Sequence, residues 1–203
     1  MNTVLYLIRH GRTRAVDEHI YCGWTDLPLS ERGIAEIREL AAEGIYPAGT
    51  DIYFTSGMKR CNETLQLIFG EQDYTSVPDI MEMNFGDFEL HAYEELKKDP
   101  DYCAWLDDFE VGEVKCRGGE SNNEFYERSG RGFMSILTRI TDLGREDVKA
   151  AVVCHGGSIG GFMRRFVDST LGFYDAIPSP GRGYRVELEL GEEAFRVKGY
   201  EKI

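Results

Sequence analysis

Two histidines stand directly after apolar runs, in positions where a reactive side chain is often found. His10 follows the apolar run over residues 4–8 and Arg9, and His155 follows the run over residues 150–154, each with a glycine after it. An imidazole can act as a base, a nucleophile or a metal ligand. The glycines let the backbone approach a bound group closely. These two segments are therefore the first candidates for a reactive site.

Two arginines supply the positive charge that an anion needs beside these histidines. Arg9 is the neighbour of His10, and Arg60 lies at the start of a helix predicted over residues 58–69. Guanidinium groups bind phosphate oxygens with paired hydrogen bonds, and a helix N-terminus adds free N–H groups and the positive end of the helix dipole. Together these residues indicate a site for a phosphoryl group.

Alternating strands and helices must bring these residues together. Continuous apolar runs are typical of strands buried in a parallel sheet, and their alternation with helices predicts an α/β fold with helices on both faces. Ligands bind such sheets at the carboxyl ends of the strands. The predicted strands cover residues 4–8, 51–55, 75–80 at an edge, 150–154, 184–190 and 195–200, and a turn at 191–193 joins the last two. The predicted helices cover residues 31–41 after the N-cap Ser30, 58–69, 93–98, 102–109, 121–143 with Leu143 facing inward, and 157–168. Residues 10–29 are predicted to form a polar loop.

Composition limits the classes of protein that this chain can represent. The chain has 203 residues, a formal net charge of −13 and five cysteines without a Cys-x-x-Cys pair. The length predicts a single domain over residues 1–203. The cysteine pattern favours a reducing, cytoplasmic location, and the N-terminal apolar run has the features of a strand rather than of a signal peptide. The apolar runs are too short for a membrane helix, and the negative charge disfavours nucleic acid as a partner.

Two other kinds of site fit the same residues less well. A metal site needs three or four convergent ligands, and beyond the two candidate histidines only His19 and His91 remain, so we predict no metal and no cofactor. Residues 156–160, with the sequence GGSIG, match the nucleophile motif of α/β-hydrolases. That fold requires a histidine after the serine, and every histidine here precedes Ser158.

The chain resembles the histidine phosphatase superfamily, which is also called phosphoglycerate mutase-like. The resemblance depends on six segments in the same order and at similar spacing. These are 9–13 (RHGRT), 23–33 (GWTDLPLSERG), 55–64 (TSGMKRCNET), 82–89 (EMNFGDFE), 118–121 (GGES) and 155–157 (HGG).

This resemblance implies a three-layer α/β/α sandwich with a mostly parallel central sheet, and it implies roles for particular residues. His10 is then the phosphorylated nucleophile, with His155 as a second catalytic group. Glu82 is the general acid and later the base, and Glu89 is the alternative for that role. Arg9, Arg60, His10 and His155 bind the phosphoryl oxygens, and Gly23, Thr25 and Arg12 are candidates for substrate binding.

Two positions depart from the pattern of the superfamily. Val16 stands where many members have an asparagine that contacts phosphate, so one phosphate contact is expected to be lost or supplied by another residue. Leu90 stands where members tend to have glycine after the second glutamate of the 82–89 segment, so the local backbone is expected to differ.

The expected function is that of a phosphomonoesterase of the histidine acid phosphatase type. It acts on a small phosphorylated metabolite through a phosphohistidine. The alternatives are a phosphoglycerate mutase and a non-catalytic phosphate-binding module. Residues 84–120 are predicted to form a lid or substrate-pocket insertion, with eleven acidic and four basic residues, a poor cover for a bisphosphate. Lys115 and Arg117 are the cations that a mutase would need there, and the oligomeric state stays open.

Overall fold

The predicted alternation of strands and helices corresponds in the structure to a six-stranded sheet flanked by helices. The computed structural model describes residues 1–191 and 194–203. The strands are β1 Asn2–Arg9, β2 Ile52–Thr55, β3 Thr75–Ser76, β4 Val148–Cys154, β5 Gly183–Leu190 and β6 Phe195–Lys202. The α-helices are α1 Arg14–Glu18, α2 Glu31–Ala42, α3 Lys59–Phe69, α4 Tyr93–Leu96, α5 Pro100–Asp107, α6 Asn122–Thr141, α7 Gly156–Phe162 and α8 Phe173–Ala176.

The order of the strands places the two candidate histidines side by side. The sheet runs β3-β2-β4-β1-β5-β6. Strands β3, β2, β4 and β1 are parallel, whereas β5 and β6 are antiparallel to their neighbours. In the pairing of β1 with β4, Arg9 lies opposite Cys154, so the residues that follow both strands leave the sheet together at its carboxyl edge.

Side chains from the central strands pack against helices on both faces of the sheet, as the predicted three-layer sandwich requires. Leu7 and Val152 join one buried cluster with residues of α6 and α7. Ile8 and Val153, one residue further along, join a second buried cluster with Cys61 and Leu65 of α3. Successive side chains of a strand point to opposite faces, so the continuous apolar runs within β1 and β4 can support two helical layers. The expected fold class is confirmed.

Several element boundaries differ from the sequence-based prediction. The predicted strand over 75–80 pairs only through Thr75 and Ser76, because Pro78 lacks a backbone N–H and begins a 3₁₀ helix, Pro78–Ile80. Leu143 lies beyond the end of α6 and is exposed, not inward. The loop predicted over residues 10–29 contains the short helix α1. The helix predicted over residues 157–168 ends in a π-helical segment, Met163–Val167. The β5–β6 hairpin is confirmed, whereas residues 192–193 of its turn lie outside the described residues.

Residues 84–120 supply most of a small, largely aromatic cluster that is separate from the two clusters of the sheet. The 3₁₀ helix Gly86–Phe88 and helices α4 and α5 enclose it, together with the start of α6. Its buried members are Met83, Phe88, Leu96, Tyr102, Trp105, Cys116 and Phe125. The segment thus has its own apolar packing, while its role as a lid and the single-domain organisation stay predictions. None of the helices described is long and apolar enough to span a bilayer.

Candidate active site

His10 and His155 form the centre of the candidate site. The backbone N–H of His10 donates to the carbonyl oxygen of Cys154 at 2.9 Å, which continues the β1–β4 pairing by one step. The two imidazole rings meet edge to face, with their centroids 5.2 Å apart. Two adjacent parallel strands therefore deliver two histidines from distant parts of the sequence to one point.

One hydrogen bond determines which nitrogen of His10 is free to react. Its Nδ1 lies 2.7 Å from the carbonyl oxygen of Gly11. A carbonyl oxygen only accepts, so the proton of a neutral ring must be on Nδ1, and Nε2 keeps its lone pair. The backbone N–H of Gly11 in turn donates to the Thr64 hydroxyl at 3.0 Å, and that hydroxyl donates to the carbonyl of Arg60. Helix α3 thereby holds the His10 loop in place.

Arg60 is a buried cation, not a surface charge, because its side chain is only 1% exposed. Its guanidinium donates to the carbonyl oxygens of Gly23 at 2.7 Å and Thr25 at 3.0 Å. It also donates to Nδ1 of His155 at 3.3 Å through Nε. These contacts fix the plane of the guanidinium beside the histidine pair, as a phosphate-binding arginine requires.

His155 is enclosed beneath Arg60 and is fully buried. Because Nδ1 accepts from Arg60, the ring carries its proton on Nε2, which lies 2.8 Å from the Ser56 hydroxyl. His155 is not among the side chains that line the cavity beside His10. A direct contact with phosphate therefore requires a phosphoryl oxygen to replace the Arg60 bond at Nδ1, and the phosphate-binding role of His155 stays a prediction.

Arg9 has a donor that no part of the described chain satisfies. One terminal nitrogen donates to the carbonyl oxygen of Pro178 at 2.9 Å, which anchors the side chain. Its Nε is buried without a hydrogen-bond partner. A buried unpaired donor is costly, and a bound anion would satisfy it. This observation supports the predicted role of Arg9 in binding a phosphoryl oxygen.

The positions of two glutamates distinguish the candidates for general acid. The Glu82 carboxylate lines the cavity with His10, and it accepts from the backbone N–H groups of Gly157 at 2.9 Å and Met83 at 3.0 Å. The Glu89 carboxylate instead accepts from the backbone N–H groups of Trp24 and Thr25, both at 2.6 Å. Glu89 thereby supports the loop whose carbonyls hold Arg60, so the geometry favours Glu82 for proton transfer.

Gly157 is needed at the base of the Glu82 carboxylate. A Cβ atom at this position would lie 2.3 Å from Oε1 of Glu82, which is closer than such atoms approach in folded proteins. The absence of a side chain at Gly157 thus lets its backbone N–H, in the first turn of α7, donate to the carboxylate. The glycine pair seen in the sequence has a local structural reason.

Sequence reasoning missed the residues that hold the Glu82 segment. Arg128 of α6 makes two hydrogen bonds to the Glu120 carboxylate, at 2.7 and 2.8 Å, and donates to the carbonyl oxygen of Glu82 at 3.1 Å. Glu120 accepts from the backbone N–H of Asn84 at 2.9 Å. Glu120 falls in the recognised GGES segment, but nothing local in the sequence indicates that its partner is Arg128.

Gly23, Thr25 and Arg12, the candidates for substrate binding, make close contacts within the protein. Gly23 packs so closely that a Cβ would lie 1.7 Å from the carbonyl oxygen of Met83. Gly23 and Thr25 hold Arg60 through their carbonyls, and Arg12 pairs with Asp17 at 2.6 Å. These three residues do not line the two cavities described next, and their role in substrate binding stays a prediction.

The two departures from the superfamily pattern have different consequences. Val16 lines the cavity beside His10, so an apolar side chain occupies this part of its wall. Leu90 has a φ of 63°, in the left-handed region that glycine adopts most easily. The local backbone therefore has a conformation that suits glycine, and a leucine there costs about 1–2 kcal/mol.

Two adjoining cavities open at this edge. A polar cavity of about 190 Å³ is lined by Arg9, His10, Arg60 and Glu82 among others. A second cavity of about 240 Å³ shares Arg9, Tyr21, Glu82 and Phe85 with the first, and the rest of its wall is mostly aromatic. The shared residues place the Glu82 side chain at the boundary between the two cavities.

Burial and neighbouring charge keep the histidines neutral. Burial lowers the pKa of His10 well below the ordinary value of 6.5, and the positive charges of Arg60 and Arg9 lower it further. Burial, followed by Arg60, likewise lowers the pKa of His155 well below 6.5. A neutral His10 retains the Nε2 lone pair that a nucleophile needs.

We expect His10 to stay unprotonated in the free protein as the pH falls through 6.5, and to gain its proton only at lower pH. Its reactive form is therefore present above the lowered pKa and lost below it. Two-dimensional NMR of the histidine rings measures the pH at which His10 gains its proton. His10→Ala assigns the His10 signals, and a short histidine peptide gives the reference titration. A His10 midpoint at or above 6.5 contradicts the expectation.

The sheet and the paired histidines at its carboxyl edge define an α/β enzyme of the phosphoglycerate mutase-like fold. The sequence profile of the histidine phosphatase superfamily (branch 1) matches residues 5–202. The chain therefore belongs to the histidine phosphatase superfamily, as the sequence motifs predicted.

Related proteins carry two kinds of name. The chain is 26% identical to adenosylcobalamin/alpha-ribazole phosphatase of Escherichia coli (strain K12) over 80% of this chain and 78% of that protein. It is 30% identical to a 2,3-bisphosphoglycerate-dependent phosphoglycerate mutase of Beijerinckia indica over 78% of each chain.

Two solved structures resemble the whole chain. The alpha-ribazole phosphatase of Shigella flexneri matches with a TM-score of 0.76 at 22% identity, covering 96% of this chain and 94% of that one, and shows the shared fold. TTHB049 of Thermus thermophilus matches with a TM-score of 0.68 at 29% identity, covering 97% and 94%. The sequence-based assignments of superfamily and fold are confirmed, and the roles of individual site residues stay predictions.

Proposed function

We propose that this protein is a phosphoric monoester hydrolase of the histidine acid phosphatase type, which acts through a phosphohistidine on a small phosphorylated metabolite. The observation that carries the proposal is the state of His10. Its Nδ1 is bound to a backbone carbonyl, and Nε2 has no partner among residues 1–191 and 194–203; the ring lines one cavity with two arginines and a carboxylate. Chemistry of this kind needs a neutral nucleophile, positive groups for the phosphoryl oxygens and an acid for the leaving group.

The proposed reaction has two steps. In the first, Nε2 of His10 attacks phosphorus, the bond to the leaving oxygen breaks, and Glu82 gives that oxygen a proton. In the second, the Glu82 carboxylate takes a proton from water, whose oxygen attacks phosphorus and releases His10 and inorganic phosphate. One carboxyl group serves as acid and then as base. Arg9 and Arg60 stabilise the negative charge of the phosphoryl oxygens in both steps.

The charges around the site favour hydrolysis over the mutase reaction. A mutase must hold a bisphosphate while keeping water from the phosphohistidine, so it needs further cations above the site. Arg117 instead pairs with Asp87 at 2.9 Å and with Asp101 at 2.8 Å, and Lys115 pairs with Glu124. The two cations that the sequence singled out are thus already matched to carboxylates.

The names of the relatives support the same choice. Alpha-ribazole phosphatases are among both the related sequences and the structures that share the fold, although several related sequences are named as mutases. Alpha-ribazole 5′-phosphate therefore comes first in a panel of candidate substrates. Sugar phosphates and phosphoglycerates complete the panel, because the proposed chemistry by itself does not select among them.

We expect steady release of phosphate from p-nitrophenyl phosphate and competitive inhibition by vanadate. We also expect 3-phosphoglycerate with catalytic 2,3-bisphosphoglycerate to yield free phosphate faster than 2-phosphoglycerate, because water reaches the phosphohistidine. An enzymatic assay for both products checks this, with a bisphosphoglycerate-dependent mutase as the positive control for isomer formation.

Two results would contradict the proposal in different ways. Isomer forming much faster than phosphate would indicate the mutase. Tight binding of inorganic phosphate without turnover of any substrate in the panel would indicate the non-catalytic module.

A further inference from the structure

The second cavity has an unusual wall for a protein that handles phosphorylated metabolites. Apart from Arg9 and Glu82, which it shares with the polar cavity, the described side chains that line it are uncharged. Most of them are aromatic. They are Tyr21, Phe85, Trp105, Phe109, Phe125, Tyr126, Phe173 and Tyr174, joined by Met83, Leu106, Asn122 and Ile177.

The aromatic wall is assembled from separate parts of the chain and is held by edge-to-face contacts. The Trp105 ring meets Tyr21 and Phe85 at near right angles, each with centroids 6.1 Å apart, and Phe109 meets Phe173 at 4.9 Å. Rings in such contacts are fixed by several neighbours. The wall is therefore a preformed surface, which is the usual state of a small-molecule pocket.

Size and chemistry limit what this pocket can hold. An apolar cavity of about 150 Å³ in another protein holds one benzene ring, and the cavity here measures about 240 Å³. It thus has room for two fused rings or for one ring with substituents. The apolar side chains that make up most of the wall would not replace the hydrogen bonds that a sugar or a carboxylate makes with water, so the wall suits an aromatic group better.

One polar atom in the wall lacks a partner. The side chain of Trp105 is 4% exposed, and its Nε1 is buried without a hydrogen-bond partner among the described residues. Buried indole N–H groups usually have an acceptor. Tyr21 and Tyr102, which pack against Trp105, use their hydroxyls on each other at 2.7 Å.

We propose that the substrate of this enzyme is the phosphate ester of a neutral aromatic, preferably heterocyclic, alcohol, whose rings occupy this pocket and whose acceptor atom binds Trp105 Nε1 once a small rotation of the indole opens that buried donor to the cavity. The inference rests on the proposed phosphatase function, since it assigns the group that leaves when His10 takes the phosphoryl group. Trp105 is then a residue that determines specificity.

Matched esters of primary alcohols test the aromatic part without changing the chemistry of the leaving group. We expect kcat/KM for naphthylmethyl and benzyl phosphates to exceed that for n-propyl and glycerol phosphates by about 10- to 100-fold, from the burial of one or two rings. Equal values for aromatic and aliphatic esters, with phosphate still released from both, would overturn the inference and leave the phosphatase function intact.

A second pair of esters tests the acceptor. Quinolinylmethyl phosphates have nearly the shape of naphthylmethyl phosphate but carry one neutral ring nitrogen at neutral pH. We expect the best quinoline isomer to be preferred by about 5- to 10-fold, the contribution of one hydrogen bond. In Trp105→Phe this preference should fall to about one, while the preference for aromatic over aliphatic esters remains.

Tyr74→Phe is the matched control, because Tyr74 is an exposed ring outside this pocket. If Trp105→Phe fails to fold, binding of free aromatic alcohols to the pocket of the wild-type protein still decides the question. Naphthylmethanol and quinolinylmethanols should inhibit hydrolysis of p-nitrophenyl phosphate competitively and change the tryptophan fluorescence. No inhibition and no binding by either alcohol would overturn the inference. Failure of every ester to release phosphate, with the alcohols still bound, would count against the phosphatase function instead.

Discussion

Replacing His10 with alanine is expected to reduce phosphate release by about 10⁴- to 10⁶-fold, the usual cost of removing a covalent nucleophile. The reason lies in the geometry of the ring. The Gly11 carbonyl holds the proton on Nδ1, and burial together with Arg60 keeps the pKa well below 6.5, so Nε2 is the free base in the cavity. Alanine removes this nitrogen and leaves the arginines in place.

The measurement combines steady-state rates with rapid quench. Wild-type protein mixed with labelled p-nitrophenyl phosphate should yield an acid-labile, base-stable phosphoprotein, and His10→Ala should yield none. His91→Ala is the matched control, because His91 is an exposed histidine outside both cavities. Label found on another residue of the wild-type protein would show that His10 is not the nucleophile.

The second large effect is expected at Glu82, and it should depend on the leaving group. Glu82→Gln removes the proton donor but keeps a side chain of similar size between the two cavities. We expect kcat/KM for an alkyl phosphate to fall by about 10²- to 10⁴-fold. For p-nitrophenyl phosphate it should fall far less, because nitrophenolate leaves without a proton. With that substrate the phosphoenzyme should accumulate, since the base for the second step is also lost.

Glu89→Gln is the matched comparison for Glu82→Gln. The Glu89 carboxylate accepts from Trp24 and Thr25 and so holds the loop that positions Arg60. Its removal should therefore lower the rates for alkyl and aryl esters by the same factor. If Glu82→Gln shows such an equal loss, Glu82 has only a positioning role. If Glu89→Gln shows the dependence on leaving group, the acid has been assigned to the wrong residue.

The sequence by itself determined the fold class and located the residues that meet at the carboxyl edge of the sheet. The apolar runs that became β1 and β4 can be recognised because each strand's own residues carry the pattern. Arg9, His10 and His155 are adjacent to those runs, so locating the strands also located the residues at their ends. The boundaries of the edge strand and of the helix ending near Leu143 were less certain, because packing and proline chemistry decide where an element stops.

Only the tertiary structure decided how these residues are used. The structure shows the different partners of the Glu82 and Glu89 carboxylates, the bond from Arg60 to His155, the pairing of Arg117 with aspartates and the support of the Glu82 segment by Arg128. All of these contacts join residues far apart in the chain. The aromatic pocket likewise draws its wall from residues between 21 and 177. No periodicity encodes such partners, since a side chain's hydrogen bonds and neighbours depend on how distant segments pack. The same physical reason explains why the sequence predicted a phosphoryl site, while the aromatic cavity beside it became visible only in the folded chain.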